Sequence, residues 1–159
     1  MSGNLRLFDH GQERHGSDDY YTPAWIFEAL GIEFDLDVSA PPGGVQWIPA
    51  KRYLTLADDG LTADWHGRVW MNPPYSNTTP WARRFITHAN GIALLPHAKA
   101  IWHSEMMAYA EATCTPPRYF NFVGTDNRNG DIFLPVFFAA FGTECVEALR
   151  NIGPIRKVA

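Results

Sequence analysis

The stretch Arg68-Val69-Trp70-Met71-Asn72-Pro73-Pro74-Tyr75 decides how the chain is organised. Its first four residues are mostly apolar and predict a short buried strand. Pro73 and Pro74 lack a backbone N–H and fix φ near about −65°, so a strand cannot continue through them. The turn that results holds the Asn72 side chain and the neighbouring carbonyl groups rigidly at a strand end.

Fixed oxygen acceptors at such a turn suit an amine as the substrate. The exocyclic nitrogen of adenine is a poor nucleophile because its lone pair is delocalised into the ring. An Asn72 amide oxygen and a backbone carbonyl that accept its two N–H bonds draw it toward tetrahedral geometry and aim the lone pair at a methyl donor. Because Asn is too weakly basic to remove the proton first, we predict catalysis by positioning and electrostatics. The predicted catalytic residues are Asn72, Pro73, Pro74 and Tyr75.

Tyr75 follows the two prolines directly. A base that is modified within DNA must leave the stack, and it is then held by hydrogen bonds on its edge and by a ring on its face. Tyr75 is placed to supply that ring. The alternative is a Pro-rich surface turn before a helix, which is typical of an isolated Asn-Pro dipeptide. The full tetrapeptide after a strand favours an amino-methyltransferase site.

The length of 159 residues fits one domain with a substantial core, and 46% hydrophobic with 19% charged residues is ordinary for a globular protein. Residues 1–17 are polar and aperiodic, so we predict a flexible arm followed by one domain over residues 18–159. No stretch approaches the roughly 18 apolar residues of a membrane span, and the N-terminus lacks a signal-peptide core. We therefore expect a cytoplasmic protein that does not bind membranes.

Cysteine, histidine and charge patterns limit the kinds of site. Cys114 and Cys145 are isolated, and no His-Glu-x-x-His spacing occurs, so no metal site is expected. Residues 1–64 carry eleven acids and four bases, a balance of −7, whereas residues 65–159 carry six acids and nine bases, a balance of +3. An acidic half that holds a cationic cofactor and a basic half that faces DNA would produce this split, and so would chance.

Hydrophobic periodicity and cap residues predict an α/β order of elements. Thr22 as N-cap and Pro23 as the first helical residue begin a helix that Gly31 ends. Residues 45–66 leave little room for a full strand and helix. The predicted strands are 34–40, 67–71, 91–96, 118–122 and 132–141, and the predicted helices are 22–30, 79–90, 99–112 and 143–151.

Two loops carry further candidate residues. Asp37 lies at the end of a predicted strand before a Pro-Gly bend, where open α/β sheets bind ligands, so it is a candidate for the amino group of a methionine moiety. The polar segment 125–131 carries side chains of the types that bond base edges, and we predict DNA contact there. An ordinary hairpin loop would have a similar composition. The predicted DNA-binding residues are Asn127, Arg128 and Asn129.

Over about residues 18–141 the sequence resembles the phage-type DNA N6-adenine methyltransferases of the Dam family. Asp18-x-Tyr20-x-Thr22-Pro23 is similar to the Asp-x-Trp-x-Thr-Pro motif of that family, with Tyr20 in place of Trp. Phe34-Asp35-Leu36-Asp37-Val38-Ser39-Ala40 is similar to its Phe-x-Leu-Asp-x-x-Ala segment. Asp59-Gly60-Leu61, Trp65 and Trp70-Met71-Asn72-Pro73-Pro74-Tyr75-Ser76 match further family elements in the same order.

The resemblance implies a single-domain, Rossmann-like α/β methyltransferase fold, with a central mostly parallel sheet and an antiparallel C-terminal hairpin. It implies S-adenosylmethionine as methyl donor, adenine in DNA as acceptor, and a phage or prophage origin in a bacterial host. No clear Gly-x-Gly follows Asp37, so the contacts to the ribose and adenine of the cofactor are open, with Asp58 or Asp59 as candidates. The implied cofactor-binding residues are Tyr20, Tyr21, Thr22, Pro23, Asp37, Ser39, Ala40 and Asp59.

Two alternatives use the same residues. A nitrogen on RNA or a protein glutamine amide requires the same pair of acceptors as adenine does. The second alternative is a catalytically silent relative that only binds nucleic acid. The short cofactor region between residues 41 and 66 suggests it.

Overall fold

The computed structural model describes residues 20–116, 122–124, 129–130 and 135–158. Within these residues the strands are β1 (Tyr20–Tyr21), β2 (Phe34–Asp37), β3 (Ala50–Tyr53), β4 (Val69–Met71), β5 (Gly91–Pro96), β6 (Ala112–Cys114), β7 (Phe122–Gly124), β8 (Asn129–Gly130), β9 (Val136–Phe141) and β10 (Ile155–Lys157). The helices are α1 (Ala24–Leu30), α2 (Thr78–His88), α3 (Ile101–Tyr109) and α4 (Thr143–Leu149), with a 3₁₀ turn at Tyr75–Asn77 before α2. The predicted arm 1–17 lies outside the described residues.

The main sheet has seven strands in the order β10-β6-β9-β5-β4-β2-β3. Strands β3, β2, β4 and β5 are parallel to one another, and β9 is antiparallel to both β5 and β6. Since β6 therefore runs in the direction of β5, five of the seven strands share one direction and only β9 and β10 oppose it. The mixed α/β class is confirmed, and the sheet has three parallel and three antiparallel strand pairs.

Helices cover both faces of this sheet, which explains why its central strands are apolar on both sides. Trp70 packs on one face with residues of α1 and α4, whereas its neighbours Val69 and Met71 pack on the other face with residues of α2 and α3. All six residues of β5 and all six of β9 are buried. The two cores hold the ends of β2 and β4 in fixed positions.

The partners of β9 differ from the prediction, which paired residues 132–141 with residues 118–122 in a hairpin. Strand β9 lies between β5 and β6, whereas β7 belongs to a separate three-stranded sheet of order β1-β7-β8. A strand buried on both faces belongs inside a sheet, where β9 has a partner on each side. Residues 118–121 of the predicted hairpin lie outside the described part of the chain.

Several predicted bounds are also wrong. The N-cap of α1 is Pro23 and not Thr22, and Pro23 makes no side-chain cap hydrogen bond. The end at Gly31 is confirmed, since this residue has φ of 65° and its N–H donates to the Phe27 carbonyl at 3.0 Å. The predicted helix 99–112 is too long, because Ala112 already begins β6. Strand β3 was not expected because it is a mostly exposed edge strand without an apolar pattern.

Candidate active site

The carboxyl ends of β2, β3 and β4 meet at one edge of the main sheet, and the loops that follow them enclose a cavity of about 380 Å³. We call it the carboxyl-edge cavity. Open α/β sheets bind ligands at this edge. The structure brings eight predicted site residues together on its wall: Tyr21, Thr22, Asp37, Ser39, Ala40, Asp59, Asn72 and Pro74.

Asp37 is the charged group set deepest in this wall. It ends β2, and its side chain is among the buried ones, with the residue only 3% exposed. Its carboxylate accepts a hydrogen bond from the Ser39 backbone N–H at 3.2 Å. Burial raises the pKa of this carboxyl to about 7, because no basic side chain in the described ranges neutralises it and the Ser39 N–H offsets only part of the effect. A cationic group of a ligand would therefore favour the ionised form of Asp37.

Asn72 follows β4 and faces Thr22 from across the cavity wall. Its amide nitrogen donates to the Thr22 hydroxyl oxygen at 3.4 Å. Thr22 is only 1% exposed, and its backbone carbonyl accepts a hydrogen bond from the Trp47 indole N–H at 2.8 Å. Thr22 thus links the Asn-Pro-Pro-Tyr turn to the loop that contains Trp47.

Tyr75 closes that turn and does not line the cavity. Its hydroxyl donates to the Leu94 carbonyl at 3.2 Å, and its ring packs against the core that contains Trp70. Burial of the hydroxyl raises the Tyr75 pKa well above the ordinary value for tyrosine. The backbone of the turn is fixed by hydrogen bonds from the Asn77 N–H to the Pro74 carbonyl and from the Thr78 hydroxyl to the Tyr75 carbonyl, at 3.1 and 3.3 Å.

The wall opposite Asn72 is formed by the loop that contains Asp59 and Gly60. A Cβ atom at Gly60 would lie 2.2 Å from the Val38 carbonyl oxygen, so only glycine allows this loop to approach the end of β2. The indole N–H of Trp65 donates to the Gly60 carbonyl at 2.7 Å. The Arg84 guanidinium donates to the same carbonyl at 3.1 Å and lies 4.6 Å from the centre of the Trp65 ring.

The two aspartates of this loop have different surroundings. Asp58 accepts hydrogen bonds from the backbone N–H and the hydroxyl of Thr55 at 2.8 and 3.0 Å, so its carboxylate closes a turn. Asp59 lines the cavity and is exposed, with one carboxylate oxygen accepting the Leu61 N–H at 3.2 Å. Of the two candidates named from the sequence, Asp59 is the one at the cavity.

Sequence reasoning missed several apolar residues of the wall. Trp81 reaches it from α2 and is only 8% exposed, while Leu56 forms part of the rim and is 93% exposed. Val45 and Ile48 contribute from the loop before β3. Trp81 lies in the predicted helix 79–90, and helical spacing carries no signal for contact with a cavity.

The remaining predicted residues lie elsewhere. Pro23 and Pro73 are buried beside the cavity and are not part of its wall, and only the backbone of Tyr20 is described, in β1. Asn127 and Arg128 lie outside the described residues. Asn129 begins β8, which pairs with β7, and β7 pairs with β1, which ends at the wall residue Tyr21 and directly precedes Thr22. Of the three predicted DNA-binding residues, Asn129 is thus linked through β7 to the strand that ends at the cavity wall.

Searches of the described residues found neither a helix long and apolar enough to cross a membrane nor a group of three or more His, Cys, Asp or Glu side chains suited to a metal ion. Cys114 and Cys145 are both buried with free thiols.

Comparison with known proteins gives two matches. The family described as DNA N-6-adenine-methyltransferase (Dam) matches residues 11–115, about two-thirds of the chain. A DNA N-6-adenine-methyltransferase of Haemophilus phage HP1 (strain HP1c1) is 38% identical over 82 residues, which is 48% of this chain and 46% of that protein. The alignment thus spans about half the length of the phage relative. The family match includes Thr22, Asp37, Asp59 and the Asn-Pro-Pro-Tyr turn.

Proposed function

Since the chain belongs to the DNA N-6-adenine-methyltransferase (Dam) family, we propose that it transfers a methyl group from S-adenosylmethionine to the N6 amine of adenine in DNA. One observation carries this proposal. The buried carboxylate of Asp37 and the amide of Asn72 share the wall of one cavity, at the edge where parallel strands end. Such a cavity can hold a cationic donor beside a fixed acceptor for an amine.

The strand order supports a Rossmann-like arrangement. Four adjacent parallel strands have helices on both faces, and the cavity lies at their carboxyl ends. Rossmann-like sheets bind their ligands at this edge. Strand β9 is antiparallel to its neighbours β5 and β6. It lies on the far side of β5 from the strands β2, β3 and β4, whose ends form the cavity.

The residues of the cavity wall fit S-adenosylmethionine. The volume of about 380 Å³ falls in the range of roughly 300–1,000 Å³ that is usual for small-molecule sites. Asp37 offers a buried negative charge to the amino group of the methionine moiety, and Asp59 offers carboxylate oxygen to the ribose hydroxyls. When bound, S-adenosylmethionine supplies an electrophilic methyl group on a positively charged sulfur. Trp81 and the prolines of the wall provide apolar surface for the rest of the molecule.

The role of Asn72 follows from the chemistry of the amine. Its amide oxygen and a backbone carbonyl of the Asn-Pro-Pro-Tyr turn accept the two N–H bonds of the adenine amine, which concentrates the lone pair on nitrogen. The developing positive charge on that nitrogen strengthens both hydrogen bonds, so the turn stabilises the transition state more than the ground state. Asn72 takes no proton itself. As the N–C bond forms, the bond between the methyl group and the donor sulfur would break and leave S-adenosylhomocysteine, and the excess proton on the amine would pass to water.

Tyr75 is proposed to stack on the flipped base. Its hydroxyl is held by the Leu94 carbonyl and one side of its ring by the core, so the ring plane is set before the base arrives. A fixed ring loses little entropy on stacking. We propose that the segment of Asn127, Arg128 and Asn129 contacts the DNA around the flipped base, and that the protein acts in the cytoplasm of a bacterial host.

Methyl transfer from labelled S-adenosylmethionine to unmethylated DNA, to RNA and to total protein tests the proposal directly. We expect label in DNA, recovered as N6-methyladenine after nuclease digestion. Label in RNA or in glutamine would support the alternative acceptors, and binding of S-adenosylmethionine without transfer to any of the three would support a catalytically silent relative.

A second test concerns the DNA-contacting segment. We expect Arg128→Ala to weaken DNA binding by about 1–3 kcal/mol if the guanidinium bonds a base edge in bidentate fashion, and to relax the sequence preference at that base. Equal affinities of the variant and the parent at matched salt concentration would place the segment outside the DNA interface.

A further inference from the structure

We infer that Thr22 is a positioning residue for Asn72, with its hydroxyl holding the Asn72 amide in place for the substrate amine. This inference rests on the proposed function. The sequence suggested two roles for Thr22, a helix cap and a cofactor contact. The structure contradicts the first, and the hydroxyl oxygen instead lies 3.4 Å from the Asn72 amide nitrogen.

Orientation matters because the two ends of an amide are nearly equal in size and opposite in hydrogen-bonding character. With the nitrogen turned to Thr22, the oxygen of Asn72 lies on the opposite side of the group and can accept an N–H from the substrate. In the reversed orientation an NH₂ group would face the NH₂ group of adenine, donor against donor. In this structure the Thr22 hydroxyl contacts the amide in the first of these orientations.

Thr22 is itself held rigidly, as a positioning residue must be. Its carbonyl accepts the Trp47 indole N–H at 2.8 Å, and the ring of Trp47 packs against the core. Pro23 restricts the residue before it to extended backbone. Tyr21, the preceding residue, pairs with Val123 in the β1–β7 ladder. Backbone and side chain of Thr22 therefore have little freedom, and the residue is 99% buried.

The substitution Thr22→Val tests this role because it keeps the shape of the side chain and removes the acceptor, whereas Thr22→Ser keeps the acceptor. We expect Thr22→Val to slow single-turnover methyl transfer to DNA by about tenfold to a hundredfold, as a loosened catalytic group does. Calorimetry with S-adenosylmethionine on both variants separates this loss of rate from a loss of cofactor binding. Thr22→Ser should retain most of the parent rate.

A double substitution shows whether Thr22 acts through Asn72. In an Asn72→Ala background, Thr22→Val should cause no further loss of rate, because the group that it positions is gone. Multiplying losses would overturn the inference, as would a folded Thr22→Val protein that transfers methyl at the parent rate. Loss of cofactor affinity alone would make Thr22 a cofactor contact only.

Side-chain amide NMR signals test the hydrogen bond without reference to activity. The NH₂ resonances of Asn72, identified by their absence in Asn72→Ala, should shift in Thr22→Val and return toward the parent values in Thr22→Ser. Unshifted signals in Thr22→Val would overturn the inference even if the protein methylates DNA. Shifted signals in a protein that transfers no methyl group to DNA would instead contradict the proposed function. If Thr22→Val fails to fold by thermal unfolding, Thr22→Ala removes the same acceptor.

Discussion

The carboxyl-edge cavity and a larger cavity at the amino edge of the same sheet, about 380 and 510 Å³, differ in how their charges are neutralised. At the amino edge, Lys51 pairs with Asp35 at 2.9 Å, and Arg68 pairs with Glu144. Asp35 also accepts the Arg68 backbone N–H at 2.8 Å. The hydrogen bond from Lys51 is the main reason that the pKa of Asp35 lies below its usual value.

At the carboxyl edge, the Asp37 carboxylate accepts a hydrogen bond only from the Ser39 backbone N–H among the described residues, and its pKa is raised. The two cavities therefore differ in whether a carboxylate already has a charged partner among the described residues. Paired charges at the amino edge neutralise each other and require nothing from a ligand. A buried carboxylate without a cation is unfavourable on its own, and a positively charged ligand relieves that cost.

The largest expected effect comes from Asn72→Ala at the carboxyl edge. We expect methyl transfer to DNA to fall by at least about a hundredfold, because a preorganised partner of the transition state is lost. Binding of cofactor and DNA should change much less. Asn90→Ala is the matched control, since Asn90 lines the amino-edge cavity, and it should transfer methyl at the parent rate.

Single-turnover transfer of labelled methyl groups measures both variants, with folding checked by thermal unfolding. A folded Asn72→Ala protein that works at the parent rate would contradict the mechanism. Equal losses in both variants would mean that the two edges do not differ in function.

The next effect concerns the pair of aspartates, one at each edge. Asp37→Asn should weaken S-adenosylmethionine binding by about tenfold or more, because a charged hydrogen bond contributes roughly 1.5–3 kcal/mol. Asp35→Asn should leave this affinity unchanged. Isothermal titration calorimetry of the two variants at pH 7.5 makes the measurement, and unchanged affinity in Asp37→Asn would remove Asp37 from the site.

Much of this site follows from local sequence. Asn72 and its prolines can be read from one tetrapeptide, and Asp37 from the end of one strand, because both depend on neighbouring residues only. The apolar run of β5 predicts a strand without any tertiary knowledge, since a strand buried on both faces needs no alternation.

Features that depend on distant segments could not be predicted. Gly60 is required by the Val38 carbonyl, which approaches it only in the folded chain. Thr22 has the local pattern of a helix cap, yet its hydroxyl contacts Asn72, fifty residues away. Strand β10 is short and mostly exposed, so no apolar pattern marked it.

A third and smaller effect is the dependence of stability on pH. The pKa of Asp37 is raised on folding, from 3.8 to about 7, so the folded state binds more protons between these values. Asp37 therefore lowers the free energy of unfolding as pH rises from about 4 to 7. Asp37→Asn should remove this loss and raise the melting temperature of the ligand-free protein at pH 7.5. A lower melting temperature in Asp37→Asn would mean that the carboxylate stabilises the fold instead.

The same argument gives cofactor affinity an opposite trend. Because S-adenosylmethionine is proposed to bind the ionised form of Asp37, its affinity should rise with pH up to about 7 and level off above that value. Asp37→Asn should show no such rise. Calorimetry between pH 5.5 and about 8.5 measures both proteins, and a parent affinity independent of pH would contradict the pairing.

The smallest effect is expected from Lys51→Met at the amino edge. Lys51 is largely exposed, and exposed ion pairs contribute little to stability, so the melting temperature at pH 7.5 should change by less than about 2 °C. The sign of its pH dependence should nevertheless oppose that of Asp37. Since the pKa of Asp35 is lowered on folding, its contribution is complete above the unfolded value of 3.8 and is lost as pH falls through the lower folded value. Melting curves from pH 2.5 to about 5 should therefore lose part of their acid dependence in Lys51→Met, and a full parent-like slope would show that Lys51 does not set the pKa of Asp35.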